Sequence, residues 1–174
     1  MSRGGPRRAR KKLGMERQAG SAPPWQELLI AAGLMLSVFI VYSGVLRGAF
    51  IWDDDFYVSA NETLRSLSGL RQIWFQIGAT PQYYPLVFTT FWAEYHLFGL
   101  DPLPYHVSNV LLHAVSAVLV WRIGQKLSIP GAPAAALFFG LHPVHVESVA
   151  WITERKNTLS GLFYLSSMLA FLHF

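Results

Sequence analysis

At 174 residues the chain is long enough for one ordinary domain, yet 52% of it is apolar and only 14% is charged, against about 25% charged residues in soluble domains. Half of its 14 basic residues (Arg3, Arg7, Arg8, Arg10, Lys11, Lys12 and Arg17) precede Trp25, so the net charge of +4 belongs to a tail and not to a binding face. That tail has no aromatic residue, which argues against nucleic acid as a partner, and the lack of cysteine excludes disulfides and thiolate metal sites.

Residues 1–24, rich in Arg, Lys, Gly, Ser and Pro, hold too little apolar surface to fold and are expected to be disordered. From Leu28 to Leu46 no charge interrupts nineteen residues, close to the roughly 20 that cross the hydrocarbon. A cleaved signal peptide also begins basic, but its apolar core runs about 7–15 residues and a small-residue cleavage site follows it. Neither holds here, and an uncleaved anchor is expected. The first extracytoplasmic loop then covers residues 47–104. Asp53, Asp54, Asp55, Glu62, Arg65 and Arg71 keep its first part out of the hydrocarbon. Ser59 and Glu62 have the spacing of a capping box. Leu64, Leu67, Leu70, Ile73, Trp74 and Ile77 follow at helical spacing, giving an amphipathic helix on the membrane surface or packed under the loop. Asn61-Glu62-Thr63 is a glycosylation sequon as well, with helix-start chemistry the preferred reading.

Pro85 to Phe98 is apolar but interrupted by Glu94 and His96, too short for a straight span. It reads as a half-buried or interfacial helix ended by Gly99-Leu100-Asp101-Pro102. A helix from about Tyr105 to Lys126 follows, with Val107 to Trp121 long enough to cross with its flanks. Ser128 to Pro133 is a turn, and Ala134 to Leu141 a further apolar helix, bent or broken at His142-Pro143. A polar stretch to Asn157 precedes a last apolar run, Leu159 to Phe174. The expected fold is all-α and integral to the membrane, with three to four transmembrane helices, amphipathic helices in the first loop, and lipid as its solvent. Counting basic residues places the N-terminus in the cytoplasm, with Arg122 and Lys126 on the same side. The aspartate loop and residues 142–157 are then extracytoplasmic. Arg155 and Lys156 break the charge rule there, which predicts a protein-lined cavity or an anionic partner for them.

Two constellations carry possible chemistry. Asp53-Asp54-Asp55 stands at the mouth of the first span, between Trp52 and Phe56-Tyr57. Three adjacent carboxylates repel, so near low dielectric one must hold its proton or a cation must join them. A solvated loop is the plain alternative; the functional one is a general base, or a Mg²⁺ or Mn²⁺ site at Asp54 and Asp55 facing a phosphate. The second is His142-Pro143-Val144-His145-Val146-Glu147, followed by Glu154-Arg155-Lys156. It is weak as a zinc site, lacking the H-E-x-x-H pattern and a fourth ligand. Glu147, Arg155, Lys156 and His142 are candidates to bind a polar or phosphorylated headgroup. His106 and His113 lie seven apart on one helix face, but no second ligating helix suggests haem, and packed histidines are the better reading.

In order and spacing these motifs resemble the transmembrane-and-tetratricopeptide-repeat-containing (TMTC-like) proteins, in the broader class of C-type (GT-C) membrane glycosyltransferases. The carrying segments are Phe50 to Asp55, Tyr84-Pro85-Leu86, Leu97 to Pro102 with Tyr105-His106, and Asn109 to His113. The most specific is Leu141 to Trp151, continued by Glu154-Arg155-Lys156-Asn157. The resemblance implies a polyprenyl-phosphate-linked sugar donor and an inverting transfer to a hydroxyl, commonly a protein Ser or Thr. It implies that Asp53 or Asp54 acts as base, with Glu147 and Arg155 near the active site. The location would be the endoplasmic reticulum in a eukaryote, or the inner membrane in a bacterium. Relatives of this kind have about twice as many spans and a tetratricopeptide array, and no 34-residue repeat is present here. Tyr84 also stands where relatives often carry a basic residue. The chain is therefore expected to be an amino-terminal piece, inactive alone. Two rival readings are a non-catalytic membrane module for binding or assembly, and a transporter fragment whose ionisable residues would line a path across the bilayer.

Overall fold

The computed structural model describes residues 23–174, so the expected disordered tail lies outside the described residues but for its last two. Among them the fold is helical throughout. The first helix, α1 (Pro24–Val41), continues as a 3-10 turn, Tyr42–Arg47. The aspartate loop holds a π-helical turn (Asp55–Ser59), a 3-10 turn (Glu62–Arg65) and α2 (Leu67–Phe75). Then come α3 (Pro85–Phe98), α4 (Pro102–Lys126), α5 (Ala132–Leu141), α6 (Val146–Ala150) and α7 (Arg155–Phe171). Two of these, α1 with its 3-10 extension and α4, are long and apolar enough to cross a membrane, at mean hydropathy 2.3 and 1.5.

Local chemistry sets the boundaries. Prolines open α1, α3 and α4, where the missing N–H would be unpartnered anyway. Asp101 caps α4 by accepting from Leu103 N–H, which starts that helix three residues earlier than its hydrophobic pattern suggests. Gly99, at φ 64, closes α3 at the expected place. His142 is extended (φ −67, ψ 130) as residues before proline are, so α5 stops at Leu141 and a 3-10 turn, Pro143–His145, follows.

The capping box expected at Ser59 and Glu62 does not form. Ser59 Oγ donates instead to Asp55 Oδ1 (2.5 Å), and Asn61 caps the Glu62–Arg65 turn by accepting from Thr63 N–H at 3.0 Å. The sequon asparagine is thus buried and occupied with helix-start chemistry. Extended Ser66 caps α2, which begins at Leu67 and not at Leu64.

Packing gives the bundle its direction. Leu34 of α1 meets Trp121 at the far end of α4 and Ala132 and Ala136 of α5. Val38 and Tyr42 meet Val110, Ala114 and Ala117 in the middle of α4. Helices α1 and α4 are therefore antiparallel, and Arg122 pairs with Glu27 (2.6 Å) where α1 begins. At the opposite end Tyr57, Val58, Leu64 and Ile73 of the loop pack on Phe88 and Phe91 of α3, Tyr105 of α4 and Ile152. The aspartate loop and residues 142–155 therefore share one end of the bundle.

That end is tightly built at Gly69, where a Cβ would stand 2.1 Å from the carbonyl oxygen of Thr63. Gly69→Ala must displace backbone and should destabilise the chain by about 1–3 kcal/mol. Gly161→Ala, which meets open space, should not. Thermal unfolding of the two variants in detergent checks this; equal midpoints would disprove the close approach.

Candidate functional site

The three loop aspartates have three different environments. Asp54 is fully buried. Its Oδ2 accepts from Ile51 N–H (2.9 Å), and its Oδ1 accepts from both the N–H (2.9 Å) and the hydroxyl (2.5 Å) of Thr153. Those three donors satisfy a carboxylate that burial would otherwise penalise. They also bolt the loop to a residue 99 positions away. Asp55 is exposed and accepts from Ser59. Asp53 is exposed too, and among the described residues no protein group hydrogen-bonds its carboxylate. It lines a cavity of about 260 Å³ with Phe56, Tyr57, Pro81 and Gln82. Burial, then the nearby Tyr84, Asp53 and Glu154, push the Tyr57 phenol above its ordinary pKa. That keeps Tyr57 a neutral hydrogen-bonding group beside Asp53.

A Mg²⁺ or Mn²⁺ site at Asp54 and Asp55 does not fit this arrangement. Both oxygens of Asp54 already face protein donors, which a cation would have to displace. Among the described residues no three His, Cys, Asp or Glu side chains gather as a metal site would require.

Arg155 opens α7 and is also fully buried. Its Nε donates to Asn109 Oδ1 (2.8 Å) and its Nη2 to the Tyr105 carbonyl (2.8 Å). Nη1 donates to Thr90 Oγ1 (3.1 Å) and forms an ion pair with Glu94. The guanidinium also lies over the Phe91 ring, 4.5 Å from its centre. Such a residue is a buried tie between α3, α4 and α7, not an open phosphate ligand. Asn109 extends the tie by donating to the Trp151 carbonyl at 3.0 Å.

Lys156, half-buried, borders a cavity. It pairs with Glu154 (2.6 Å), which also accepts from Asn157. Lys156 lines a cavity of about 460 Å³ between the start of α3 and α7, walled by Tyr83, Tyr84, Pro85, Leu86, Leu159 and Phe163. The pairs with Glu94 and Glu154 are the anionic partners expected for Arg155 and Lys156.

The remaining candidates stand apart. Glu147 is exposed on α6, and its side chain joins none of these hydrogen bonds. His142 accepts from Val144 N–H and lines a separate apolar cavity of about 370 Å³ with Phe138 and Pro143. Burial, then His142, hold the His145 imidazole below its usual pKa. His113 bonds the Gly140 carbonyl (3.1 Å) and packs on Phe139, as a core histidine does. Three residues that position the site were not singled out for it from sequence, Thr153, Glu94 and Asn109, whereas Glu154 stood in the second constellation. Glu94 gave the clearest signal, as the one acid in an apolar helix.

The chain is similar to several curated proteins. It is 29% identical to Protein O-mannosyl-transferase F38B6.6 of Caenorhabditis elegans over 88% of this chain and 24% of that protein. It is 31% identical to Protein O-mannosyl-transferase Tmtc1 of Drosophila melanogaster over 84% of this chain and 18% of that protein. With Protein O-mannosyl-transferase tmtc2 of Xenopus laevis the identity is 34%, over 84% and 18% respectively. The chain thus spans less than a quarter of the length of these relatives. No family model matches it, and no solved structure does.

Glu94→Ala should leave the buried Arg155 charge without its anionic partner and destabilise the chain by about 3–5 kcal/mol. Adding Arg155→Met should recover much of that loss. Thermal unfolding of the single and double variants reads the coupling, and additive effects would show that the two side chains do not act as a pair.

Proposed function

Because the chain is TMTC-like over more than four-fifths of its length, we propose that it forms the amino-terminal part of a protein-directed glycosyltransferase of GT-C type. Three to four of its helices cross the membrane in this reading, α7 joining α1 and α4, with the ten-residue α5 crossing only together with the segment that follows it. The sugar passes from a polyprenyl-phosphate donor to a Ser or Thr hydroxyl of a protein on the extracytoplasmic side.

The observation that carries this reading is the difference between the first two loop aspartates. Asp54 is buried and holds the loop in place, whereas Asp53 reaches a cavity with its carboxylate free of protein donors. A general base needs that access to the proton it removes. In the transfer, the acceptor oxygen forms a bond to the anomeric carbon as the bond from that carbon to the donor phosphate breaks. The hydroxyl proton goes to Asp53, and the electron pair leaves with the phosphate. Lys156 faces the leaving phosphate and stabilises its charge. The wall of Pro85, Leu86, Leu159 and Phe163 suits an apolar chain running from it. Arg155 and Asp54 position these groups without touching substrate.

The placement of charge favours this reading over a transporter. Asp53, Asp54, Glu94, Glu154, Arg155 and Lys156 lie at one end of the bundle, and Glu27 and Arg122 at the other.

The test is sugar transfer from polyprenyl-phosphate-linked donors in membranes carrying the complete open reading frame. Asp53→Asn should lower transfer about 100-fold or more with the protein still folded. Asp54→Asn should instead lower the amount of folded protein, because an amide cannot accept from all three donors. Lys156→Met should lower kcat, with a smaller effect on the donor KM. Undiminished transfer in Asp53→Asn would remove Asp53 as the base, and no transfer from any donor by the wild type would favour a binding module.

A further inference from the structure

A bulky side chain at positive φ is an uncommon backbone choice, and Trp52 makes it. Its φ is 48, in the region that glycine or asparagine occupies at lower energy. Burial does not offset the strain, since Trp52 is 78% exposed and its ring meets Trp151 edge-on, 5.5 Å between centres. The conformation is imposed from outside the residue. Asp54 N–H donates to the Ile51 carbonyl (3.0 Å), Asp55 N–H to the Trp52 carbonyl (3.3 Å), and the Asp54 carboxylate clamps Ile51 and Thr153. The fold thus holds an exposed indole in a strained turn directly before the free carboxylate of Asp53. On the other side of Asp53, Phe56 is 68% exposed at the edge of the same cavity. Strain of this kind, held by an over-determined surround, is a mark of ligand contact.

We propose that Trp52 and Phe56 form the docking surface for the acceptor polypeptide, which lies across the two rings and brings its hydroxyl to Asp53. Two observations favour a polypeptide over lipid. Asp53 and Asp55 flank the surface with exposed carboxylates, which immersion in a bilayer would penalise. The cavity that suits an apolar chain is a separate one, walled by α3 and α7. Indole and phenyl faces also hold apolar side-chain and backbone groups at low entropic cost. The ligand class rests on the transferase reading; the existence of a docking surface does not.

The experiment compares wild type, Trp52→Gly and Trp52→Phe in the full-length protein in nanodiscs. It measures thermal unfolding, binding of a fluorophore-labelled peptide containing Ser and Thr, and the acceptor KM. Glycine relieves the backbone strain and removes the ring. Trp52→Gly should therefore unfold no earlier than wild type, yet bind the peptide about tenfold more weakly, with the acceptor KM rising in step. Trp52→Phe should keep most of the binding. Peptide binding that depends on Trp52 in a protein showing no transfer would sustain the docking surface and sink the transferase reading. The proposal is overturned if wild type does not bind the peptide, or if Trp52→Gly lowers stability and leaves binding unchanged. Quenching of the Trp52 indole by brominated lipids would overturn it too, making the residue a bilayer anchor.

Discussion

The structure depends on the burial of one guanidinium. Arg155 has no contact with solvent, and an arginine in that position must find acceptors for its donors and a counter-charge within the protein. They come from two helices that precede it by 46 to 65 residues: Thr90 and Glu94 on α3, and the Tyr105 carbonyl and Asn109 on α4. Helix α7 can begin only where these groups converge. The consequence reaches the loop, because Asn109 also holds the carbonyl of Trp151, two residues before the Thr153 that clamps Asp54. Removing the arginine's surroundings would therefore disturb the aspartates without touching them.

Three consecutive carboxylates could not all be used alike. The turn at Ile51–Asp54 sends Asp54 inward, where three donors satisfy it, and leaves Asp53 and Asp55 outside. Mutual repulsion is eased by that separation, and each acid acquires a distinct task. Asp54 and Arg155 are the most buried charged groups of the site. Their removal should be felt first in folding, whereas the carboxylate of exposed Asp53 ties nothing together among the described residues.

What the sequence disclosed, and what it did not, follows the range of the interactions. The bounds of α3 were legible because Pro85 and Gly99 punctuate them locally, and the break at His142-Pro143 because proline restricts the residue before it. The capping box at Ser59 was misread because Asp55, four residues back, competes for the same hydroxyl. Asp53 and Asp54 could not be told apart, since the residue that separates them, Thr153, lies 99 positions away. Glu94 was ambiguous for the same reason. Its partner is 61 residues distant, and no periodicity within α3 points to it. Contacts of that range leave no local pattern in a single sequence.

The buried arginine also bears on which face is which. The charge rule counts basic residues in short loops, where they meet water and lipid headgroups. Arg155 belongs instead to the protein core, so it does not compete with Arg122 and Lys126 at the other end of α4. Arg47, Arg65, Arg71 and Lys156 remain opposed to them, and Lys156 is paired with Glu154. Arg122, by contrast, holds Glu27 at a partly exposed surface, where such a pair contributes little to stability. The two ends therefore differ in kind. One carries loosely held surface charge, continuous with the basic segment before Trp25. The other buries Asp54, Glu94 and Arg155 and leaves Asp53 and Lys156 lining its cavities.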